Sequence, residues 1–581
     1  MDISVNVISA KDGTEILEIC TENNTYRMNS LYRPVVEAEK FAKQYENMEP
    51  ESVLVVFGYG NGIFPKAIMK ACNEHTKVVF YEPETAVLRC ISKPSKEIDQ
   101  VLGTNGYIVT SEKFDKGKQY YAVSEFPKLL EELISYFNQK KVQYTALPKY
   151  RDIFPEQYKH FEEQIVYRIR RLQSNTATAK TRGHVAVFNN IKNLRYIPES
   201  YCADSFLGAF PKGMAAIVVS AGPSLEKNVH VLKQAKGHAL IVCVDSAVKY
   251  LLKENIIPDL LVTVDPVKGL WRFNDERIDG IPIVISSDTN YRVLEQLPHS
   301  KIIFASSEND YIQRIYGENG HKIEQLESGG SVATLTFSLC RYWGFSCVIL
   351  IGQDLALTDN QKYAGGRKLS EEFNRKLLEV EDIYGNTIYT VRDYYYYLKW
   401  FEQAVAAHPE VKVIDATEGG AKIAGTEIMT LHEALTEYGE LEFDFESCLN
   451  AISPVFTDDK KELVEKRIQD SKQILQQLID RLEVGVTLTQ KGLRLIEQGT
   501  DMPQAYLPID EQIQKISEFY EQLDEAYLIQ REIDAVNLEA FMKLFEGDRP
   551  NTRKEKYKSL QQYFQILKES AITVSGMWDQ I

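Results

Sequence analysis

The chain has 581 residues, 44% hydrophobic and 26% charged, which is too long for one hydrophobic core and implies about two to four globular domains. Its 67 Lys and Arg against 83 Asp and Glu leave a formal charge of -16, which argues against general binding of nucleic acid or anionic membranes but leaves room for a local basic patch. The eight cysteines form no Cys-x-x-Cys pair, the opening residues lack a signal-like apolar stretch, and no apolar run reaches the roughly 18 residues of a membrane span, so a cytoplasmic protein without a membrane span is expected.

Residues 1–165 are expected to form the smaller, Rossmann-like α/β domain. Alternating runs come first, then the apolar strand of residues 52–57 enters the turn Gly58-Tyr59-Gly60-Asn61-Gly62. A helical pattern over residues 65–72 and a second strand over 77–81 complete one βαβ unit, followed by Glu82. A glycine-rich turn with an acid about 20 positions on admits a nucleotide or S-adenosylmethionine, but its spacing is not G-x-G-x-x-G, and a purely structural turn is the plainer reading.

Residues 166–204 read as a basic helical connector carrying Arg168, Arg170, Arg171, Lys180, Arg182, Lys192 and Arg195, either a solvated face or a rim beside a phosphate-bearing ligand. Residues 205–445 alternate strand-like and helix-like runs, the pattern of a Rossmann-like domain with a parallel sheet. Each strand-like run ends on a small or polar group: Ser220, Asp245, Asp265, the Ser286-Ser287-Asp288 triplet, and Gly352-Gln353-Asp354. Because ligands of open parallel sheets lie beyond the carboxyl ends of the strands, these groups are expected to converge on one cleft. Any one Asp can instead cap the next helix. Asp245 and Asp265 are the acids best placed for ribose hydroxyls, a divalent ion or an acceptor hydroxyl.

Two glycine-opened helix starts belong to this domain. In Ser220-Ala221-Gly222-Pro223-Ser224 the glycine permits a tight turn, the proline suits a first helical turn and Ser224 can cap it; Ser328-Gly329-Gly330-Ser331 precedes a second helix in the same way. Both suit a nucleotide or diphosphate. Further on, Thr417 and Glu418, beside Gly419 and Gly420, either belong to turns or reach the cleft as acceptor contact and base. From residue 455 to 581 apolar residues recur every three or four positions, the mark of an all-α bundle suited to recognition or assembly, with homo-oligomerisation one use.

The stretches "VVSAGPSLEKN", "DLLVTVDP", "ESGGSVATLTFSLCRYWGFSCVILIGQDLAL" and "DATEGGAKIAGT" together resemble the motility-associated factor (Maf) family of bacterial flagellin glycosyltransferases. The resemblance is strong over the central domain and looser over the three-part layout. It implies transfer of a nonulosonic acid, pseudaminic or legionaminic, from its CMP-activated form to Ser or Thr of flagellin. It also implies that Ser220, Gly222 and Ser224 line the cytidine phosphate loop, that Ser328, Gly329, Gly330 and Ser331 form the second loop, and that Asp245, Asp265 and Asp354 line the cleft. The central domain is similar to that of a bacterial sialyltransferase family, with two departures. Ala221 stands where those enzymes have Asn, and the only His between Asp354 and Gly420 is His408, beside Pro409 in an expected loop. The same motifs resemble archaeal hydroxymethylpterin diphosphokinases, which would hold ATP and a metal there. A flagellin-binding protein without catalysis is the remaining alternative.

Overall fold

The computed structural model describes residues 3–91, 94–111, 117–305, 309–357, 377–500, 502–544 and 552–580. The chain forms two compact units, the first comprising Met1–Lys180 with Leu538–Ser559 and the second Thr181–Asn537 with Leu560–Ile581. The connector expected at 166–204 is largely taken up by one helix, Pro155–Asn193, and residues 205–445 share a unit with 455–537.

The first unit opens with an antiparallel sheet of β1 (Ser4–Ser9), β2 (Glu15–Cys20) and β3 (Thr25–Arg27). A five-stranded parallel sheet follows, built from β4 (Val53–Phe57), β5 (Lys77–Glu82), β6 (Gly106–Thr110), β7 (Tyr120–Ala122) and β8 (Val142–Ala146) in the order β7-β6-β5-β4-β8. Strand β4 is buried at every residue, as the covered faces of a parallel sheet require of an uninterrupted apolar run.

At the end of β4 the glycine-rich turn closes on itself. The Glu82 carboxylate accepts from the Tyr59 amide at 2.8 Å, the Gly60 amide at 3.1 Å and the Tyr150 hydroxyl at 2.5 Å. A Cβ on Gly58, whose φ is +104°, would lie 2.7 Å from the Tyr150 ring. The carboxylate that a nucleotide there would need is thus engaged by its own turn, and an aromatic ring packs where the backbone is bare. Burial pushes the Glu82 carboxyl up to about 7 against the pull of these hydrogen bonds.

The second unit is built on nine strands: β9 (Tyr201–Cys202), β10 (Ala215–Val219), β11 (Ala239–Val244), β12 (Leu260–Thr263), β13 (Ile283–Ile285), β14 (Ile302–Phe304), β15 (Cys347–Ile351), β18 (Lys412–Asp415) and β19 (Glu427–Ile428), with a separate hairpin of β16 (Leu378–Glu381) and β17 (Thr387–Thr390). The sheet order is β19-β18-β15-β10-β11-β12-β13-β14-β9 and every pairing is parallel. From β10 the chain steps outward to β14, then returns to lay β15 on the other side of β10. The strand order therefore reverses between β10 and β15, the position at which open parallel sheets bind ligands.

The C-terminal helices pack on this sheet domain. From the helix Asp458–Glu497, Ser471 Oγ donates to the Tyr311 hydroxyl at 3.0 Å, and the Ile468 carbonyl accepts from Trp578 Nε1 at 2.9 Å, while Tyr311 meets the Trp578 ring edge-on. No described helix is long and apolar enough to cross a membrane.

Candidate functional site

The loops that leave β10 and β15 interlock at the switch point. Gly222 N donates to the Gly352 carbonyl at 2.7 Å, and Ser220 N to the Ile351 carbonyl at 2.9 Å. The Ser224 amide and hydroxyl both donate to the Asp354 carboxylate, and the Ser220 hydroxyl donates to Gln353 Oε1 at 2.6 Å. Gly352 has a φ of +62°, and a Cβ on it would collide with the Ser220 carbonyl. Ser224 makes no side-chain cap on the four-residue helix Leu225–Asn228, contrary to the capping role read from the sequence; Asp354 captures its hydroxyl instead. Since Pro223 has no amide hydrogen, most of the polar capacity of this loop is spent in holding the two loops together.

A cleft of about 510 Å³ opens beside this interlock. Ser220, Gly222, Asp245, Asp265, Ser328, Gly330, Ser331 and Asp354 line it, so residues from five segments separated in sequence meet in one place. Asp245, at the end of β11, is 1% exposed; its Oδ2 accepts from Thr263 Oγ1 at 3.0 Å and its Oδ1 pairs with Lys268 Nζ at 2.9 Å. Burial raises its pKa, and Lys268 opposes that shift. Asp265 is more open, 24% exposed, and neither it nor Asp245 caps a helix: Asp265 Oδ1 accepts from the Val267 amide at 2.9 Å in a local turn and lies 3.6 Å from Arg182. Arg182, part of the basic run at 166–204, thereby joins the cleft wall.

The second loop is ordered by Thr334. Its Oγ1 accepts from the amides of Gly329 at 3.0 Å and Ser331 at 3.2 Å, while Ser331 Oγ caps the Thr334 amide at 3.2 Å. The helix Val332–Tyr342 starts there, and its first turn, Val332 and Ala333, lines the cleft. Gly329 itself lies outside the lining. A Cβ on it would meet Trp400 Cγ at 2.5 Å, so it lets the helix Arg392–Ala407 approach. That helix contributes Asp393, Tyr394 and Tyr397 as a further wall.

Thr417 and Glu418 lie behind the interlock and do not line the cleft. Thr417 is buried and its amide donates to Asp415, whose carboxyl is pushed up to about 6 by burial. Glu418, at φ +58°, accepts from Asn228 Nδ2 at 3.2 Å and from the Leu431 amide at 3.4 Å. The neighbouring Gly420 packs against Asp354, and Ala421 N donates to the Asp354 carbonyl at 2.7 Å, so this segment braces the β15 loop from the rear. His408 caps the end of the helix Arg392–Ala407 and faces Glu410 at 3.2 Å.

Lys268, Asp393, Tyr394 and Tyr397 were not singled out from sequence. A lysine in a loop carries no signal of its own, and the run Tyr394-Tyr395-Tyr396-Tyr397 is unusual without showing which rings turn inward. Among the described residues, no three His, Cys, Asp or Glu side chains are grouped to hold a metal ion.

Residues 188–360 match the family model of MptE-like 6-hydroxymethylpterin diphosphokinases. No curated protein matches the chain in sequence. Among solved structures, the chain is similar to a Maf glycosyltransferase from Magnetospirillum magneticum AMB-1, with a TM-score of 0.57 at 12% identity, over 99% of this chain and 92% of that one. The protein is thus Maf-like in fold over nearly its whole length, with an MptE-like central region.

Proposed function

We propose that the protein is a glycosyltransferase that moves a nonulosonic acid, pseudaminic or legionaminic, from its CMP-activated form to Ser or Thr hydroxyls of flagellin in the cytoplasm. The observation that carries this reading is the polar cleft at the strand-order reversal of a chain similar in fold, over 99% of its length, to a Maf glycosyltransferase. In the transfer, the bond from the anomeric carbon to the phosphate oxygen breaks and its electron pair leaves with CMP. The acceptor oxygen bonds to that carbon, and its proton passes to a base. Of the three acids considered for this chemistry, Asp265 is assigned as the base, because it alone is both in the cleft and partly open. Asp245 is enclosed and ion-paired, and Glu418 lies outside the lining. The helical tail is the proposed flagellin-recognition surface.

Intact-mass analysis of flagellin from cells with and without the gene tests the reading: a nonulosonic-acid increment that disappears with the gene supports it, and unchanged masses overturn it. The match over residues 188–360 favours a second reading, a diphosphokinase of the hydroxymethylpterin type. Calorimetry separates the two. Binding of CMP without ATP supports the transferase, and tight ATP binding without CMP supports the kinase.

A further inference from the structure

Among the described residues that line the cleft, Lys268 is the more buried of two cations. It leaves the loop after β12, where its carbonyl accepts from Asn290 Nδ2 at 3.1 Å, and its side chain turns back to the end of the neighbouring strand β11 to meet Asp245 at 2.9 Å. Both residues line the cleft, but Lys268 is 19% exposed and Asp245 only 1%, so the lysine offers the more accessible charge. An ammonium has three donors, and the contact with Asp245 is an ion pair without an aligned hydrogen bond. Arg182, the other cation of the lining among the described residues, is 47% exposed and stands 3.6 Å from its acid, so it is the more solvated and the less fixed of the two.

We infer that Lys268 takes the anionic phosphate of the ligand, and that Asp245 is a positioning residue that holds the lysine and does not itself touch the ligand. This rests on the reading of the cleft as a nucleotide site, and it reverses the expectation that Asp245 contacts the ligand directly. Three relationships support it. Both Asp245 oxygens face groups of the protein, Thr263 and Lys268. Lys268 shares the cleft with the first turn of the helix Val332–Tyr342, whose leading amides have no partner within the helix and favour negative charge. The β10 loop has committed the amides of Ser220, Gly222 and Ser224 and both serine hydroxyls to acceptors of the β15 loop, so those donors are not left for a phosphate.

The test compares each nucleotide with its own nucleoside by calorimetry on the full chain, using CMP against cytidine and ATP against adenosine. Wild-type protein should prefer the phosphorylated member of one pair by roughly tenfold or more, the value of a hydrogen bond between charged groups. Lys268→Met should bring the two members to equal affinity while nucleoside binding persists, Lys268→Arg should keep most of the preference, and Asp245→Asn should lower it. A merely structural role would weaken nucleotide and nucleoside alike. Because Lys268→Met leaves a buried acid unpaired, the double variant Asp245→Asn with Lys268→Met, which removes both charges, provides a folded comparison. An unchanged preference in either lysine-to-methionine protein overturns the inference. A preference seen only in the ATP pair, and lost with Lys268, sinks the cytidine reading and supports the lysine; no preference in either pair overturns both.

Discussion

Gly222 and Asp354 share a space that no side chain can enter: a Cβ on Gly222 would collide with the Asp354 carboxylate and lie 2.5 Å from the Gly352 carbonyl. The neighbours are a hydrogen-bonded carboxylate and backbone, neither of which can yield cheaply. Gly222→Ala should therefore destabilise the second unit by about 1–3 kcal/mol and weaken nucleotide binding. Gly317, which has nothing within 4 Å of an added Cβ, is the control. Chemical denaturation of both proteins checks this, and equal midpoints would count against the interlock.

The first unit carries a pH signature. Glu82 has an ordinary value of 4.5 and is pushed up to about 7 when folded, so between those values the folded protein holds more protons than the unfolded chain. Its contribution is then fully present below pH 4.5, is lost as the pH rises to about 7, and is flat beyond. The whole span is on the order of 3 kcal/mol. Glu82→Gln keeps an acceptor for Tyr59, Gly60 and Tyr150 but cannot ionise, so its unfolding free energy should fall less than that of wild type between pH 5 and 8. Parallel curves for the two proteins would contradict the assignment.

Asp245 and Asp265 should differ sharply in what their charge is worth. Asp245→Asn leaves Lys268 facing a neutral group in a nearly closed place and should cost about 3 kcal/mol. Asp265→Asn keeps the acceptor for Val267 and loses only a partly exposed pair with Arg182, so it should cost less than about 1 kcal/mol in denaturation while, on the proposed role, abolishing transfer. Equal destabilisation by the two changes would argue against the contrast, as would an active Asp265→Asn enzyme.

Tyr394 and Tyr397 stand on one helix face with ring centres 6.3 Å apart. Both are partly exposed along the cleft, so Tyr394→Ala and Tyr397→Ala should each weaken nucleotide binding by about 1 kcal/mol with little loss of stability. Calorimetry against thermal melting separates the two effects, and undiminished binding in both variants would remove this wall from the site.

The strands of the second unit were legible because a parallel strand covered on both faces must be an unbroken apolar run, and β10, β11, β12 and β15 each end within two residues of the small or polar group at which the apolar pattern stops. The two glycine-opened helix starts were equally visible. What their amides bind was not, because Gly222 donates to a strand end some 130 residues later, and no local pattern encodes such a partner. Glu418 shows the same limit from the other side. An acid beside two glycines reads equally as part of a turn or as cleft-facing, and the left-handed turn at φ +58° brings its carboxylate to Asn228 and Leu431. In the first unit, Glu82 fell where a nucleotide acid belongs, while the tyrosine that donates to it comes from 68 residues downstream.

The interlock of Gly222, Gly352 and Asp354 bears on how such a cleft changes its ligand over time. Its floor is held by main-chain atoms and by glycines whose replacement is costly, so variation there is constrained. Asp393, Tyr394 and Tyr397, by contrast, project from one helix whose approach depends on the bare backbone of Gly329. A library restricted to these three positions should therefore alter ligand choice while leaving the unfolding midpoint near that of wild type.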